Sequence, residues 1–558
     1  MPISQASPRP PDKNLFRLPL RKSIGPVLLL LVLALGAFLR FYHLDGYGLW
    51  SDEFVTLMIV SAKSWHELVR TCFEIPQPMP PLYFVLTRLP VIWLGPSEIS
   101  LRLLSALSSL LLIYIVFRLG QLLFSMEVGL VAALLCAVNT TQIVYAQNAR
   151  PYAFCLLLGC CSCLMFLRWL ETRALRFRIG YVLSTILLFY SHYIFFPILL
   201  TQNLFFLWLK RRNPPDLAGD SFLAQWRRWL TLEGIIGLFL LPLVPQLATI
   251  LRTRYSLNWY RELPRYSDIF VFYDGELLFF AAAATLSVAG IAVLLKRPQR
   301  ETKEGRLLVD QRFTPRGPAA IFRWDPLIFL LLWYLIPVVL FFLSARVLGL
   351  NLFVERYLIF STIPTYLIIA ALPFNFSRPN LARVFLVIYC LHYVYMEPGA
   401  YYREKREFSQ GVPGANEWRE TLEEFNNPMF NASLFLFQSP FIESNQLRFV
   451  DDPLLFRYLS SPLESFYLKG FQRRTFALMP VHWWINTERH LRFKAETKEL
   501  IRSHPDLVLM STEEFWGYFH AWLEGEFHEE YRILEVQSFR STGALRLNRI
   551  RLVPRSPS

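Results

Sequence analysis

Apolar residues fall along the chain in long runs and seldom alternate. A membrane-crossing helix needs about 20 apolar residues, and runs near that length lie at 25–42, 103–119, 128–146, 152–170, 180–196, 197–209, 232–250, 276–295, 326–344, 357–374 and 382–396. They predict about eleven spans, with the point that divides 180–209 left open by the pattern. The run 81–95 is short and contains Arg88 and Pro90, so it reads as an interfacial or partly re-entrant helix. From about Glu397 the pattern changes to that of a globular domain. There Trp418, Leu422 and Phe425 at helical spacing predict a helix over 414–427. Ser433–Gln438, Asp506–Met510 and Ile533–Phe539 read as strands, with a charged helix over Thr487–Ser503. The expected fold is mostly α. A disordered cytoplasmic N-terminus (1–20) precedes a transmembrane bundle (21–397) whose first outer loop is 43–81, and a C-terminal α/β domain (398–558) follows.

Loop charge then orients the bundle. With the N-terminus inside, the loops Glu171–Arg178, Lys210–Arg228, Lys296–Arg323 and Asn375–Arg383 are inner, and the first three carry clustered Lys and Arg. The first outer loop carries Asp45, Asp52, Glu53, Glu67 and Glu74 against Lys63 and Arg70. Since Lys/Arg bias sets topology, the C-terminal domain, with its sequon Asn431-Ala432-Ser433 and a reactive position at Ser461, is expected on the outer face of an inner (plasma) membrane. Segment 251–275 breaks the bias with Arg252, Arg254, Arg261 and Arg265 around Trp259 and Tyr260. It is either a tolerated exception or a contact for phosphate or lipid head groups.

Composition agrees: 54% of residues are hydrophobic and 18% charged, too little charge for a soluble chain of this length. The net charge of +14 is dispersed between apolar runs, so nucleic acid is not an expected partner. Six of the seven cysteines lie inside apolar runs, which leaves neither a disulfide framework nor a zinc spacing. The first run follows Arg17, Arg21 and Lys22 and lacks a small-x-small cleavage site, so it reads as a retained span.

Topology gathers separated polar residues at one face. Asp52 and Glu53 follow the first span; Gln147, Asn148 and Arg150 end the third; His192 and Tyr193 lie near the outer end of the fifth; Glu355 and Arg356 open the tenth. Ionisable groups at membrane depth are expensive, so their convergence points to function. The bland readings are a solvated acidic loop for Asp52-Glu53, arginines snorkelling to the interface, and a packing role for His192.

The segments Leu49-Trp50-Ser51-Asp52-Glu53-Phe54, Pro80-Pro81-Leu82-Tyr83, Tyr145-Ala146-Gln147-Asn148-Ala149-Arg150-Pro151-Tyr152-Ala153, Ser191-His192-Tyr193 and Glu355-Arg356-Tyr357-Leu358 occur in a telling order. The chain resembles the GT-C superfamily over about 20–375, in the branch of protein O-mannosyltransferases and lipid A aminoarabinose transferases. The resemblance implies a glycosyltransferase with a polyprenyl-phosphate-linked sugar as donor, inverting transfer, and an acidic catalytic residue in the first outer loop. That role falls on Asp52 with Glu53 beside it. Departure of a phosphate calls for arginine or a metal, which assigns Arg356 and Arg150 to the donor phosphate. Gln147, Tyr152, Trp259, Tyr260, His192 and Tyr83 are candidates for substrate contact. Relatives often carry His where this chain has Met79 and Glu where it has Asn148. Both changes remove a potential ligand for a divalent cation, whose presence the sequence leaves open. The acceptor, be it protein, lipid or polysaccharide, is not legible. Two other readings stay open: a non-catalytic scaffold whose outer domain binds a partner, and a lipid-linked sugar transporter, which would show midplane sites and repeats.

Overall fold

The computed structural model describes residues 20–212, 222–252, 263–266, 268, 325–350, 352–371, 415–468, 475–541 and 543–555. The membrane part begins with α1 (Leu20–Phe41), α2 (Ser51–Val60), α3 (Trp65–Glu74), α4 (Leu82–Leu94), α5 (Glu98–Leu123), α6 (Met126–Val138) and α7 (Thr140–Ala146). It continues through α8 (Tyr152–Thr172), α9 (Leu175–Phe189), α10 (Pro197–Arg212), α11 (Phe222–Leu240) and α12 (Val244–Arg252). After an undescribed stretch come α13 (Asp325–Leu348), the single turn α14 (Glu355–Leu358) and α15 (Thr362–Ala371).

Six stretches of described helix are long and apolar enough to cross a membrane: Ile24–Phe41, Glu98–Leu123, Tyr152–Thr172, Tyr193–Arg211, Trp226–Ile250 and Asp325–Leu348. The chain is an integral membrane protein. The run 128–146 is divided at Asn139, with α6 and α7 bent by 61°, the geometry of a broken span or a re-entrant loop. The run 180–196 gives the shorter α9, 357–374 gives α14 and α15 joined by a 3-10 turn, and 81–95 gives the 13-residue α4. The runs 276–295 and 382–396, the domain boundary at 397, and both Trp259 and Tyr260 lie outside the described residues.

The break between α6 and α7 has a local cause. Asn139 leaves the helix and its side chain accepts from Gln142 N at 3.1 Å, so it ends one helix and caps the next. Carbonyls near the break are then taken by the buried Arg40, which donates to Cys136 O at 3.0 Å and Ala137 O at 2.8 Å. Its Nε donates to Ser109 Oγ, so one guanidinium joins α1, α5 and α6. Inside a bilayer such backbone groups must find protein partners. Where α5 and α6 cross, a Cβ on Gly120 would lie 2.6 Å from Gly129 Cα, a close approach only small residues permit.

The C-terminal domain contains α16 (Ala415–Phe425), β1 (Leu434–Gln438), α17 (Pro453–Leu459), β2 (Thr475–Met479), α18 (Glu488–Ser503), β3 (Asp506–Thr512), α19 (Glu513–Phe527), β4 (Tyr531–Arg540) and β5 (Leu545–Pro554). Its sheet runs β2-β1-β3-β5-β4, parallel at β2-β1-β3 and antiparallel at β3-β5-β4. Strand β1 is buried on both faces, as its run Leu-Phe-Leu-Phe requires. Leu434 and Leu436 pack with Phe515 and Phe519 of α19. Phe435 and Phe437 face the other way, onto Phe425 and Trp418 of α16.

That second face is continuous with the bundle. Phe54 of α2 meets Trp418 edge-on at 5.9 Å and Tyr467 at 6.4 Å. Tyr467 accepts from Leu49 N at 3.1 Å and donates to Glu98 at 2.6 Å, and Arg419 pairs with the same Glu98. Ser461 is fully buried beneath this interface, contrary to its expected reactivity.

Candidate active site

Asp52 opens α2. Acidic residues in a first helical turn suit the positive end of the helix dipole, and Ser51-Asp52-Glu53 supply two. Their side chains diverge. Glu53 turns inward and is 1% exposed. Its Oε1 accepts from Arg102 Nε at 2.8 Å and Ala149 N at 2.6 Å; its Oε2 accepts from Arg102 Nη2 at 2.7 Å and Trp50 N at 3.3 Å. Arg102 spends its remaining bonds on the carbonyls of Leu44, Tyr47 and Gly48. Expected beside Asp52 as a catalytic carboxylate, Glu53 is instead a saturated strut that fixes the start of α2 and the turn carrying Arg150.

Asp52 faces outward, its side chain a quarter exposed. Its Oδ2 accepts from Arg356 Nη1 at 3.3 Å and lies 3.9 Å from Arg150 Nε. Arg150 also donates to the Asp52 backbone carbonyl at 3.3 Å. Three predicted residues, 304 positions apart at the extremes, therefore meet at one carboxylate oxygen. Arg150 is held by its neighbours: Thr56 donates to Ala149 O at 2.8 Å and Ser105 to Arg150 O at 3.1 Å. Its side chain is nearly buried, whereas that of Arg356 is 29% exposed.

The other predicted residues separate. Tyr152 is buried in an aromatic group, its ring 5.4 Å from Tyr145, 5.9 Å from His192 and 6.5 Å from Tyr357. His192 Nδ1 accepts from Ile194 N, so it caps a 3-10 turn and presents Nε2 as the proton-bearing nitrogen. Both stay near the arginines, as lining. Tyr83 does not: fully buried, it bonds Ser105 at 2.9 Å and supports Arg150 from beneath. Gln147 donates to the carbonyls of Leu39, Arg40 and Tyr42, closing the C-terminus of α1. Asn148 accepts from Trp50 Nε1 at 3.3 Å, and Gln246 donates to the carbonyl of Met79 at 3.2 Å.

Among the described residues no group of three or more His, Cys, Asp or Glu side chains is placed to hold a metal ion. The exposed oxygen of Asp52 already faces two guanidinium groups, and Met79 and Asn148 add no anionic ligand. This donor set does not suit a divalent cation.

Residues 78–215 match the family model of dolichyl-phosphate-mannose-protein mannosyltransferases. No curated protein matches the chain. The apo structure of ArnT from Cupriavidus metallidurans superposes with a TM-score of 0.54 at 13% identity, covering 94% of this chain and 98% of that one. The same protein bound to undecaprenyl phosphate gives 0.50 at 12%, with the same coverage. The apo oligosaccharyltransferase of Archaeoglobus fulgidus gives 0.48 at 12%, covering 96% of this chain and 75% of that one. At such identity the likeness to the two ArnT structures speaks for the fold alone. The chain has the GT-C fold, a helix bundle followed by a sheet-containing C-terminal domain, as its ordered motifs implied.

Proposed function

We propose that the protein is a glycosyltransferase that moves a sugar from a polyprenyl phosphate to an acceptor on the outer face of the membrane. The observation that carries this reading is the meeting of Asp52 with Arg356 and Arg150 in a GT-C bundle. A phosphate presents anionic oxygens for which a guanidinium fork is the matched partner. When the donor binds, its phosphate competes for Arg356, and Oδ2 of Asp52 loses a cation. The acceptor oxygen then forms a bond to the anomeric carbon from the face opposite the phosphate, which inverts that carbon. The carbon–oxygen bond to phosphate breaks, its electron pair leaves on the polyprenyl phosphate, and the acceptor proton passes to Asp52. The arginines offset the charge that develops on the leaving group. No step runs through a metal.

The test supplies purified protein with a panel of polyprenyl-phosphate sugars and follows release of polyprenyl phosphate. Asp52→Asn removes proton acceptance at little change in volume, so transfer should fall by about 10²–10⁴ while lipid phosphate still binds. Wild-type turnover in Asp52→Asn would remove Asp52 from the mechanism. Lipid phosphate binding without release from any donor would favour the scaffold reading, which Met79 and Asn148 support.

A further inference from the structure

Glu443 stands where the two halves of the molecule meet. It belongs to the 3-10 turn Ile442–Gln446 that follows β1, and it is 6% exposed. Gln77, from the segment between α3 and α4, donates to its Oε1 at 2.8 Å across 366 positions. Its Oε2 is buried and has no hydrogen-bond partner among the described residues. A carboxylate oxygen kept from water without a donor is costly, and its retention asks for a reason.

The surroundings say where that oxygen is. Gln77 is firmly placed, because Tyr193 donates to Pro78 O at 2.9 Å and Gln246 to Met79 O at 3.2 Å. Burial pushes the Glu443 carboxyl above the usual carboxylate range, its own backbone N–H and Gln77 offset part of that push, and the negative charge of Asp52 adds a smaller one upward. Tyr458 of α17, its phenol pushed up chiefly by burial, also feels Glu443, Asp52 and Arg150. Tyr193 adjoins His192, whose ring lies 6.1 Å from that of Tyr357, next to Arg356, so a continuous line of contacts runs from Glu443 through Gln77 to the arginine side of the site.

We propose that Glu443 completes the transfer site from the C-terminal domain, its unpaired Oε2 holding a second hydrogen-bond donor of the acceptor so that the attacking hydroxyl meets Asp52. Arg356, on α14 of the bundle, is assigned to the lipid phosphate, and Glu443, on the C-terminal domain, to the acceptor. The acceptor class is one that carries another donor group beside the reacting hydroxyl.

This inference rests on the transferase reading, so its test separates the two. The full-length protein receives undecaprenyl-phosphate sugars as donors and membranes of the producing cells as the acceptor source. In Glu443→Gln, the acceptor quantity giving half-maximal transfer should rise about tenfold, as expected for one lost buried hydrogen bond. Undecaprenyl phosphate affinity should stay within about twofold, because no contact with the arginines changes. Glu443→Asp, which keeps the carboxylate, should recover part of the acceptor affinity, and it carries the comparison with wild type should Glu443→Gln not fold. Unchanged acceptor dependence in a folded variant, or a parallel loss of undecaprenyl phosphate binding, overturns the role of Glu443 alone. A wild type that transfers from no donor overturns the transferase reading, and this inference with it.

Discussion

A carboxylate oxygen lying between two guanidinium groups is occupied until a stronger anion draws one of them away. At the residue scale this separates Asp52 from Glu53, adjacent in sequence and opposite in fate. Glu53 has four donors on its two oxygens and no exposure to a substrate. The Asp52 side chain has one hydrogen bond, a second cation slightly beyond bonding distance, and partial exposure. The exchangeable partner is Arg356, whose guanidinium also rests 5.4 Å from the ring of Tyr357. A planar fork binds phosphate through two parallel hydrogen bonds, which lysine reproduces poorly. Arg356→Lys should therefore weaken both undecaprenyl phosphate binding and turnover. Arg356→Ala should weaken binding by about 10–100-fold, the worth of a charge-assisted hydrogen bond. If Arg356 only anchors α14, the alanine variant would melt at a lower temperature with its lipid phosphate affinity intact, and binding and melting read on one preparation decide between the two.

At the scale of elements, the site depends on how α2 is held against α5 and against the turn before α8. The Arg102–Glu53 pair is buried on both sides, with side-chain exposures of 3% and 1%. Removing one partner of such a pair typically costs about 3–5 kcal/mol, because the other charge is left unpaired. Arg102→Met should thus lower the melting temperature. It should also lower turnover per folded molecule, since Glu53 positions Ala149, next to Arg150. A destabilised protein with unchanged turnover per folded molecule would confine Arg102 to stability. Sequence pattern reached part of this arrangement. Span length and apolar continuity are local properties, so most of the bundle was legible, and the ordered motifs brought Asp52, Arg150 and Arg356 forward. Contacts between distant elements were not. Nothing near Glu53 announces Arg102, 49 positions away, nothing near Gln147 announces its use in closing α1, and Glu443 finds Gln77 only through the docking of a separate domain. In the C-terminal domain β2 and β5 escaped notice; in β5 the alternation of apolar and polar residues breaks at Asn548-Arg549, and pairing with β3 and β4 on either side makes it a strand.

For the whole molecule the remaining variable is the side of the membrane that the site faces. The C-terminal domain touches Leu49, Phe54, Gln77 and Glu98, all at the end of the bundle that carries Asp52. The basic cluster Arg173, Arg176 and Arg178 follows α8, whose opposite end begins beside Arg150. A helix of 21 residues is about 30 Å long, so that cluster and the site lie on opposite sides of a bilayer core. Lys and Arg favour the cytoplasmic side, which predicts that Asp52, Glu443 and the sheet domain lie outside together. Accessibility of a cysteine reads this directly, at a better position than Ser461, which is buried. Glu529, with a side chain 86% exposed, suits the purpose. The natural cysteines add little background among the described residues, where all but Cys161 are buried. Glu529→Cys should react with an impermeant maleimide in intact cells, and Arg176→Cys only after lysis. The reverse pattern would turn the molecule over, place the site in the cytoplasm, and leave the transfer to be sought there.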